Sequence, residues 1–346
     1  MNLVPLPLLI TGIAGVHGYN AFHHFRRLYG DAVIGIRQST MWPLKGDGIV
    51  GCDPDDRQAV DRLWDEYQFA SMLNCAGSCH LKSCERDRGK AHRLNVAGAE
   101  NLVRAAVRHR ARVIHISVDL VFGGRPGGNY VETDPTDPVT VYGEMMVQAE
   151  RMVQRHDPAA CILRISLPMG ISFNGHAGAI DWISSRFKAG KPATLFTDEY
   201  RTPTYTDCLN VLFEQLLTRP LSGLYHAGGP RSLCLFQIGQ IVNAVGGYDP
   251  TLLRGIPRSQ APPVPPRAGD VTMDSSKLTE ALGFSPFDPW PLHDRLLPPD
   301  STWHHRRQAF DGAPELVHRW LYQHPERESE VPLSRNELWT DGRFSA

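Results

Sequence analysis

Thr11-Gly12-Ile13-Ala14-Gly15-Val16-His17-Gly18 is the stretch that decides the fold. It follows the apolar run Leu8-Leu9-Ile10 and opens a segment, 16–28, with Val16, Tyr19, Phe22, Phe25 and Leu28 at helical spacing. The order is therefore strand, glycine turn, helix. In such a turn the first glycine permits a tight bend and the second lets backbone approach a pyrophosphate. The third lets the helix pack close to the strand. A glycine triplet alone is weak evidence. Its place at the first strand–helix junction, with a β-α-β rhythm behind it, is what gives it weight.

That rhythm continues along the chain. Residues 32–36 read as a second strand and 57–68 as a helix, followed by a buried strand ending at Met72-Leu73-Asn74. A long helix is expected over 89–109, with Leu94, Ala97, Leu102 and Ala105 inward. Strand 112–117, helix 142–155 and strand 161–165 follow. Strands alternating with helices in this way imply a parallel sheet covered on both faces. The expected class is α/β, a Rossmann-like doubly wound parallel sheet with a smaller C-terminal substrate-binding lobe. We expect a dinucleotide domain over 1–170, to which later segments return. A lobe over 171–298 and a partly helical extension over 299–346 complete the chain. Residues 261–266 read as a stiff proline connector, 313–324 as an amphipathic helix, and the last ~20 residues as poorly ordered.

Composition narrows the function. The chain has 346 residues, 21% charged and 42% hydrophobic, with a net charge of -1. No basic field exists to hold nucleic acid or an anionic membrane. No apolar run reaches the ~20 residues of a membrane span. The start, residues 3–10, reads as a strand rather than a signal peptide. The seven cysteines are scattered. Cys75, Cys79 and Cys84 lie close together but have no second cluster, so reduced thiols in a cytoplasmic protein are expected and no metal site.

Cofactor contacts are expected from Gly12, Ala14, Gly15, Val16, His17 and Gly18. At the end of the second strand, Arg37 stands where an acidic residue would bind the ribose hydroxyls of NAD. An arginine suits a 2′-phosphate, so NADP(H) is favoured over NAD(H). Asp53 could meet the adenine edge or cap the following helix. Asn74-Cys75-Ala76-Gly77 offers small residues at a strand tip where a cofactor can lie. Asn95, amid an apolar helix, reads as a buried hydrogen-bonding group.

Several segments carry a resemblance. These are the glycine turn, residues 74–77, residues 117–124, residues 130–134, and Tyr142-Gly143 with Glu150. Leu163-Arg164, residues 201–207, 223–229 and 274–278 add to them. Over roughly residues 8–290 the chain resembles extended short-chain dehydrogenase/reductases of the dTDP-4-dehydrorhamnose reductase type. The resemblance implies an NAD(P)H-binding sheet, a lobe that holds a nucleotide-sugar, and hydride transfer to its C4 ketone. It also implies a tyrosine proton donor, a threonine hydroxyl on the ketone, and a lysine that holds the nicotinamide ribose and lowers the tyrosine pKa.

Here the chain departs from the family. The tyrosine is Tyr142, but Met146 stands at the lysine position and Val118 at the hydroxyl position. If the register is shifted by one, Ser117 supplies the hydroxyl instead. Tyr142, Ser117 and Asp119 are the catalytic candidates, with Asp119 capping a loop or facing the sugar. No lysine lies between Lys90 and Lys188, and Arg151 would point about 140° away from Met146 on an ideal helix. A replacement cation would have to come from elsewhere, such as His80 or Lys82. Arg201, Tyr205 and Arg267 are candidate contacts to the nucleotide or its diphosphate.

Two functions fit these residues. One is an NADP(H)-dependent reductase of a nucleotide-sugar ketone with a degenerate triad. The other is a weak or inactive NAD(P)-binding regulatory protein. The regulatory β subunit of methionine adenosyltransferase, similar in layout, is the precedent for the second. On that view Trp303, Trp320 and Trp339 in the extension would dock a protein partner or a second copy in a homodimer. Those tryptophans could equally fold back on the parent core.

Overall fold

A computed structural model describes residues 3–175, 177–306 and 312–325. Six strands alternate with helices in the first half: β1 (Leu8–Ile10), β2 (Val33–Arg37), β3 (Ile49–Gly51), β4 (Ser71–Asn74), β5 (Arg112–Val118) and β6 (Cys161–Ile165). A seventh strand, Gly223–Ala227, returns from the second half and pairs with β6. The sheet runs seventh–β6–β5–β4–β1–β2–β3, and every pairing is parallel. The order reverses between β1 and β4, which both flank the glycine turn. Open α/β sheets leave a crevice beyond the strand ends at such a reversal.

The helices are α1 (Val16–Tyr29), α2 (Arg57–Tyr67), α3 (Leu81–Arg86), α4 (Arg88–His92), α5 (Gly98–Arg108) and α6 (Val141–His156); all but α3, which falls where the sequence suggested a loop, were expected. They cover both faces of the sheet. Phe22 and Phe25 of α1 pack in one core cluster with Leu8 and Ile10. Leu63 and Trp64 of α2, Leu102 of α5 and Met152 of α6 pack in another with Leu9. The single helix expected over 89–109 is interrupted. Between α4 and α5 the chain makes a π-helical turn, Arg93–Ala97, centred on Asn95. Such turns insert one extra residue and recur at functional sites.

After β6 the chain forms α7 (Ala179–Lys188), α8 (Thr206–Thr218), α9 (Leu235–Val245), α10 (Ser276–Leu282) and α11 (Pro314–Val317). Short strand pairs tie these together. Ala193–Phe196 pairs with Leu253–Ile256, and Tyr200–Arg201 with Leu233–Cys234. The proline stretch 261–266 lies at the surface beside Arg258 and Arg267. The C-terminal helix is shorter than expected, and α11 passes into a wider π-helical turn, His318–Tyr322. Trp303 and Trp320 pack against the large core cluster rather than projecting outward. Trp339 and the last ~20 residues lie outside the described residues. No helix among the described residues is long and apolar enough to cross a membrane.

Candidate functional site

A cavity of about 380 Å³ opens at the strand-order reversal. Its floor is the glycine turn. Gly12 has φ +64°, and a Cβ there would sit 2.2 Å from the Cys75 carbonyl oxygen. Only glycine lets β1 and β4 tips approach so closely. Gly15 differs: a Cβ there would meet only the Gly12 oxygen, at 3.4 Å. Its open side faces the cavity. Gly15 is also the N-cap of α1, with no capping side chain and no acid in the first turn. Free N–H groups and the helix dipole therefore point into the cavity. Ala14, Val16 and His17 line it as well. Burial lowers the His17 imidazole to about 4, so it is neutral at pH 7. Gly18 does not line the cavity. A Cβ there would lie 2.5 Å from the Gly12 oxygen, so its role is close helix–strand packing.

Arg37 lines the far end with Gln38, Met41, Cys52, Pro54 and Asp55. Its guanidinium donates to the carbonyls of Leu44 at 2.6 Å, Gln38 at 3.0 Å and Ser39 at 3.3 Å. These partners are neutral, so the positive charge remains. Asp53 does not cap α2. It accepts from the Ser39 backbone N–H at 2.9 Å and from the Ser39 hydroxyl, and it is not among the lining residues. The α2 cap is Asp56, which accepts from the N–H groups of Gln58 and Ala59.

Asn74 also corrects the expectation. It is fully buried under the floor. The Thr11 hydroxyl donates to its Oδ1 at 2.8 Å, and its Nδ2 meets His115 Nδ1 at 3.0 Å. The wall is instead made by Cys75, Ala76 and Gly77. Asn95 reaches the same wall. It accepts from the Ser78 N–H at 2.8 Å and donates to the Ala91 carbonyl at 3.0 Å, which fixes the loop after β4. It is the buried hydrogen-bonding group the sequence suggested.

Tyr142 stands on the first turn of α6. Two features hold it. The Thr140 side chain accepts from the Gly143 N–H at 3.0 Å. Gly143 lets the helix press against the loop after β5, where a Cβ would lie 2.2 Å from the Leu120 oxygen. Tyr142, Met146, Val118, Asp119 and Leu120 thereby share the cavity wall. Alternation along β5 settles the register. Ile116 and Val118 face the cavity, whereas Ser117 faces away from it. The Ser117 hydroxyl donates at 2.5 Å to Glu150, which pairs with Arg164 at 2.8 Å in the core. Ser117 is therefore not a catalytic hydroxyl. The β5 side chain that lines the cavity beside Tyr142 is Val118.

Among the described residues no lysine lines the cavity; Arg201 does line it and opposes the rise of the Tyr142 pKa. Met146 is 5% exposed and packs with Tyr142, Leu81 and Val118. His80 and Lys82 are exposed, and neither lines the cavity. Burial pushes the Tyr142 phenol well above its ordinary value, with smaller contributions from Cys79 and Asp119.

Asp119 is locked in a network that sequence spacing gave no hint of. It accepts from the Ser166 hydroxyl at 2.6 Å and pairs with Arg201 at 2.7 Å. Arg201 also pairs with Glu199 at 2.7 Å, and Glu199 with Arg267 at 2.7 Å. The two carboxylates hold the Arg201 pKa above its usual range, against the opposing effect of burial. Arg201 lines the cavity but carries no uncompensated charge into it. Arg267 lies outside this cavity. It lines a separate surface concavity with Asp198, Arg258 and the proline stretch. Tyr205 is fully buried away from both. Its hydroxyl accepts from the Leu292 N–H at 3.0 Å and donates to the Trp320 carbonyl at 2.9 Å. It anchors the C-terminal segment. All seven cysteines are free, and the described residues contain no metal-binding group of three or more His, Cys, Asp or Glu.

Comparison with known proteins places this geometry. A family model described as "RmlD substrate binding domain" matches residues 6–292. The chain is 25% identical over 250 residues to a dTDP-4-dehydrorhamnose reductase of Aggregatibacter actinomycetemcomitans, covering 68% of this chain and 83% of that one. It is 27% identical over 238 residues to methionine adenosyltransferase 2 subunit beta of Danio rerio, covering 67% and 71%. Its fold matches a crystal structure of dTDP-4-dehydrorhamnose reductase from Bacillus anthracis in complex with NADP. That match has a TM-score of 0.70 at 20% identity and covers 82% of this chain and 95% of that one.

Proposed function

This chain belongs to the RmlD substrate binding domain family, and from that premise we propose that it is an NADP(H)-dependent reductase of a nucleotide-sugar 4-ketone. One observation carries the proposal: Tyr142 and the glycine turn line the same cavity. The cavity fits a dinucleotide on its own terms. The open face of Gly15 and the uncapped start of α1 suit a diphosphate. The charge of Arg37 supports NADP(H) over NAD(H). Cys75, Ala76 and Gly77 leave room across the β4 tip. On this reading residues 1–170 hold the dinucleotide and residues 171–298 the sugar nucleotide.

A bound reduced nicotinamide would supply the hydride. The protein's part is the proton. Tyr142 holds it on a phenol that burial keeps neutral, which is the form a ketone reduction needs. Met146 supplies no ammonium to make that phenol a stronger acid, and Val118 gives no hydrogen bond to the developing alkoxide. Arg201 and Asp119 neutralise each other and add no net positive charge. The expected enzyme is slow and works in the reducing direction.

Two outcomes check this. Tyr142→Phe lowers the reduction rate by about 10²–10⁴, the usual worth of a positioned acid. The pH–rate profile shows no alkaline fall from Tyr142 below pH ~10, because its folded-state pKa lies above the reference value. A fall near pH 8 would assign the proton to another group. Gly15→Val should leave the melting midpoint nearly unchanged and weaken NADPH binding at least ~10-fold, since the added atoms occupy the ligand's approach. Equal NADPH affinity in wild type and G15V would place the cofactor elsewhere.

The deciding experiment is NADPH consumption with a dTDP-4-keto-6-deoxyhexose, with NADPH binding recorded in the same sample. Steady consumption supports the reductase. Tight binding without consumption supports the second reading, a cofactor-binding regulatory protein. The specific observation behind that reading is that Met146 and Val118 both face the cavity beside Tyr142, and a relative of similar length is a methionine adenosyltransferase subunit.

A further inference from the structure

The family match ends at residue 292, yet residues 312–325 stay on the body of the protein. The Ala313 N–H donates to the Val245 carbonyl at 2.9 Å. Val317, Leu321 and Tyr322 are buried in the large core cluster. Polar contacts fix the rest. The Trp290 indole N–H donates to the Leu321 carbonyl at 2.9 Å, and Tyr205 to that of Trp320. The His324 N–H donates to Asp207 at 2.8 Å.

A further contact runs toward the cavity wall. The Tyr322 hydroxyl donates to Asp181 Oδ1 at 2.5 Å. Asp181 lies in the first turn of α7. Its other oxygen accepts from the Ser172 N–H at 3.3 Å and from the Ser172 hydroxyl. That hydroxyl in turn accepts from the Ala177 N–H at 3.2 Å. Ala177, Gly178 and Ala179 line the cavity beside the start of α1. A Cβ on Gly178 would come within 3.2 Å of Val16, the first residue of α1. The chain of contacts thus runs from the C-terminal segment, through one carboxylate, to the wall facing the start of α1.

We propose that residues 312–325 are an intramolecular strap, with Tyr322 as the positioning residue. Through Asp181 and Ser172 it holds the wall at 177–179 at its distance from the glycine turn, so that the cavity is preformed for its ligand. The proposal rests on the assignment of this cavity to the cofactor. Preorganisation of this kind raises affinity by removing the cost of ordering the wall. Tyr322 touches neither the reacting atoms nor the cofactor, so its loss should leave the chemical step alone.

The test is Tyr322→Phe in the full chain, which removes one oxygen and keeps the packed ring. Hydrogen exchange over residues 170–181 should accelerate. The dissociation constant and KM for NADPH should rise about 10-fold, the worth of a hydrogen bond to a charged group, with kcat unchanged. If exchange and NADPH affinity stay at wild-type values while the melting midpoint falls, the segment only stabilises the fold and the strap is wrong. If wild type itself does not bind NADPH, the cofactor assignment fails and exchange alone decides the strap. Should Y322F not fold, Asp181→Asn weakens the same contact from the other side and is read by the same exchange measurement.

Discussion

Met146→Lys combined with Val118→Thr should raise NADPH-dependent ketone reduction by about 10²-fold or more over the parent protein. The two side chains face the cavity beside Tyr142, so the new groups would meet the phenol and the ketone oxygen. An ammonium at 146 favours the phenolate and so makes the buried phenol a better acid. It acts against the burial that now pushes that pKa up. A hydroxyl at 118 returns a donor to the oxygen that gains charge in the transition state. Steady-state rates at saturating NADPH check the outcome. No gain in a variant that still binds NADPH would mean that the substrate pocket has changed too, and the regulatory reading would then stand.

Arg201→Met should destabilise the protein by about 3–5 kcal/mol, the usual cost of removing one partner of a buried pair. The arginine and its two acids are almost wholly buried, with side chains 7%, 5% and 1% exposed for Arg201, Asp119 and Glu199. Glu199 retains Arg267. Asp119 keeps only the Ser166 hydroxyl among the contacts described above. A buried carboxylate without its cation is the source of the loss. Urea unfolding at pH 7 measures it. A change below ~1 kcal/mol would show that water or movement compensates the network as it does at exposed pairs. Arg201→Lys should recover part of the loss but not all, since an ammonium cannot span both acids as a guanidinium does.

These expectations divide along what a linear sequence can carry. The fold was legible because its signals are local. The apolar run 8–10, the three glycines and the helical spacing of Tyr19, Phe22 and Phe25 each act within one or two turns of chain. The same holds for the departures. Met146 is one helical turn beyond Tyr142, and Gly143 marks the tight start of the helix that presents them. Strand alternation puts Val118 and Ser117 on opposite faces, but the sequence left open which of them meets the cavity.

The site's polar partners were not legible, because they are distant in sequence and identical in composition to surface residues. Asp119 meets Arg201 across 82 positions, and Tyr205 meets Trp320 across 115. An arginine after a strand reads the same whether it binds a phosphate, as expected of Arg201 and Arg267, or balances a buried carboxylate. Only burial decides. Asn74 and Tyr205 lie away from the cavity for the same reason: each is buried and spends its polar atoms on backbone or side chains of its own fold. The sequence by itself determined the sheet, the glycine turn and the tyrosine with Met146 four residues on, since periodicity and spacing encode them. Tertiary structure alone decided which charges cancel, which face Ser117 takes, and where the C-terminal segment packs. Those depend on which distant groups folding brings within hydrogen-bond distance in a medium where an unpaired polar group is costly.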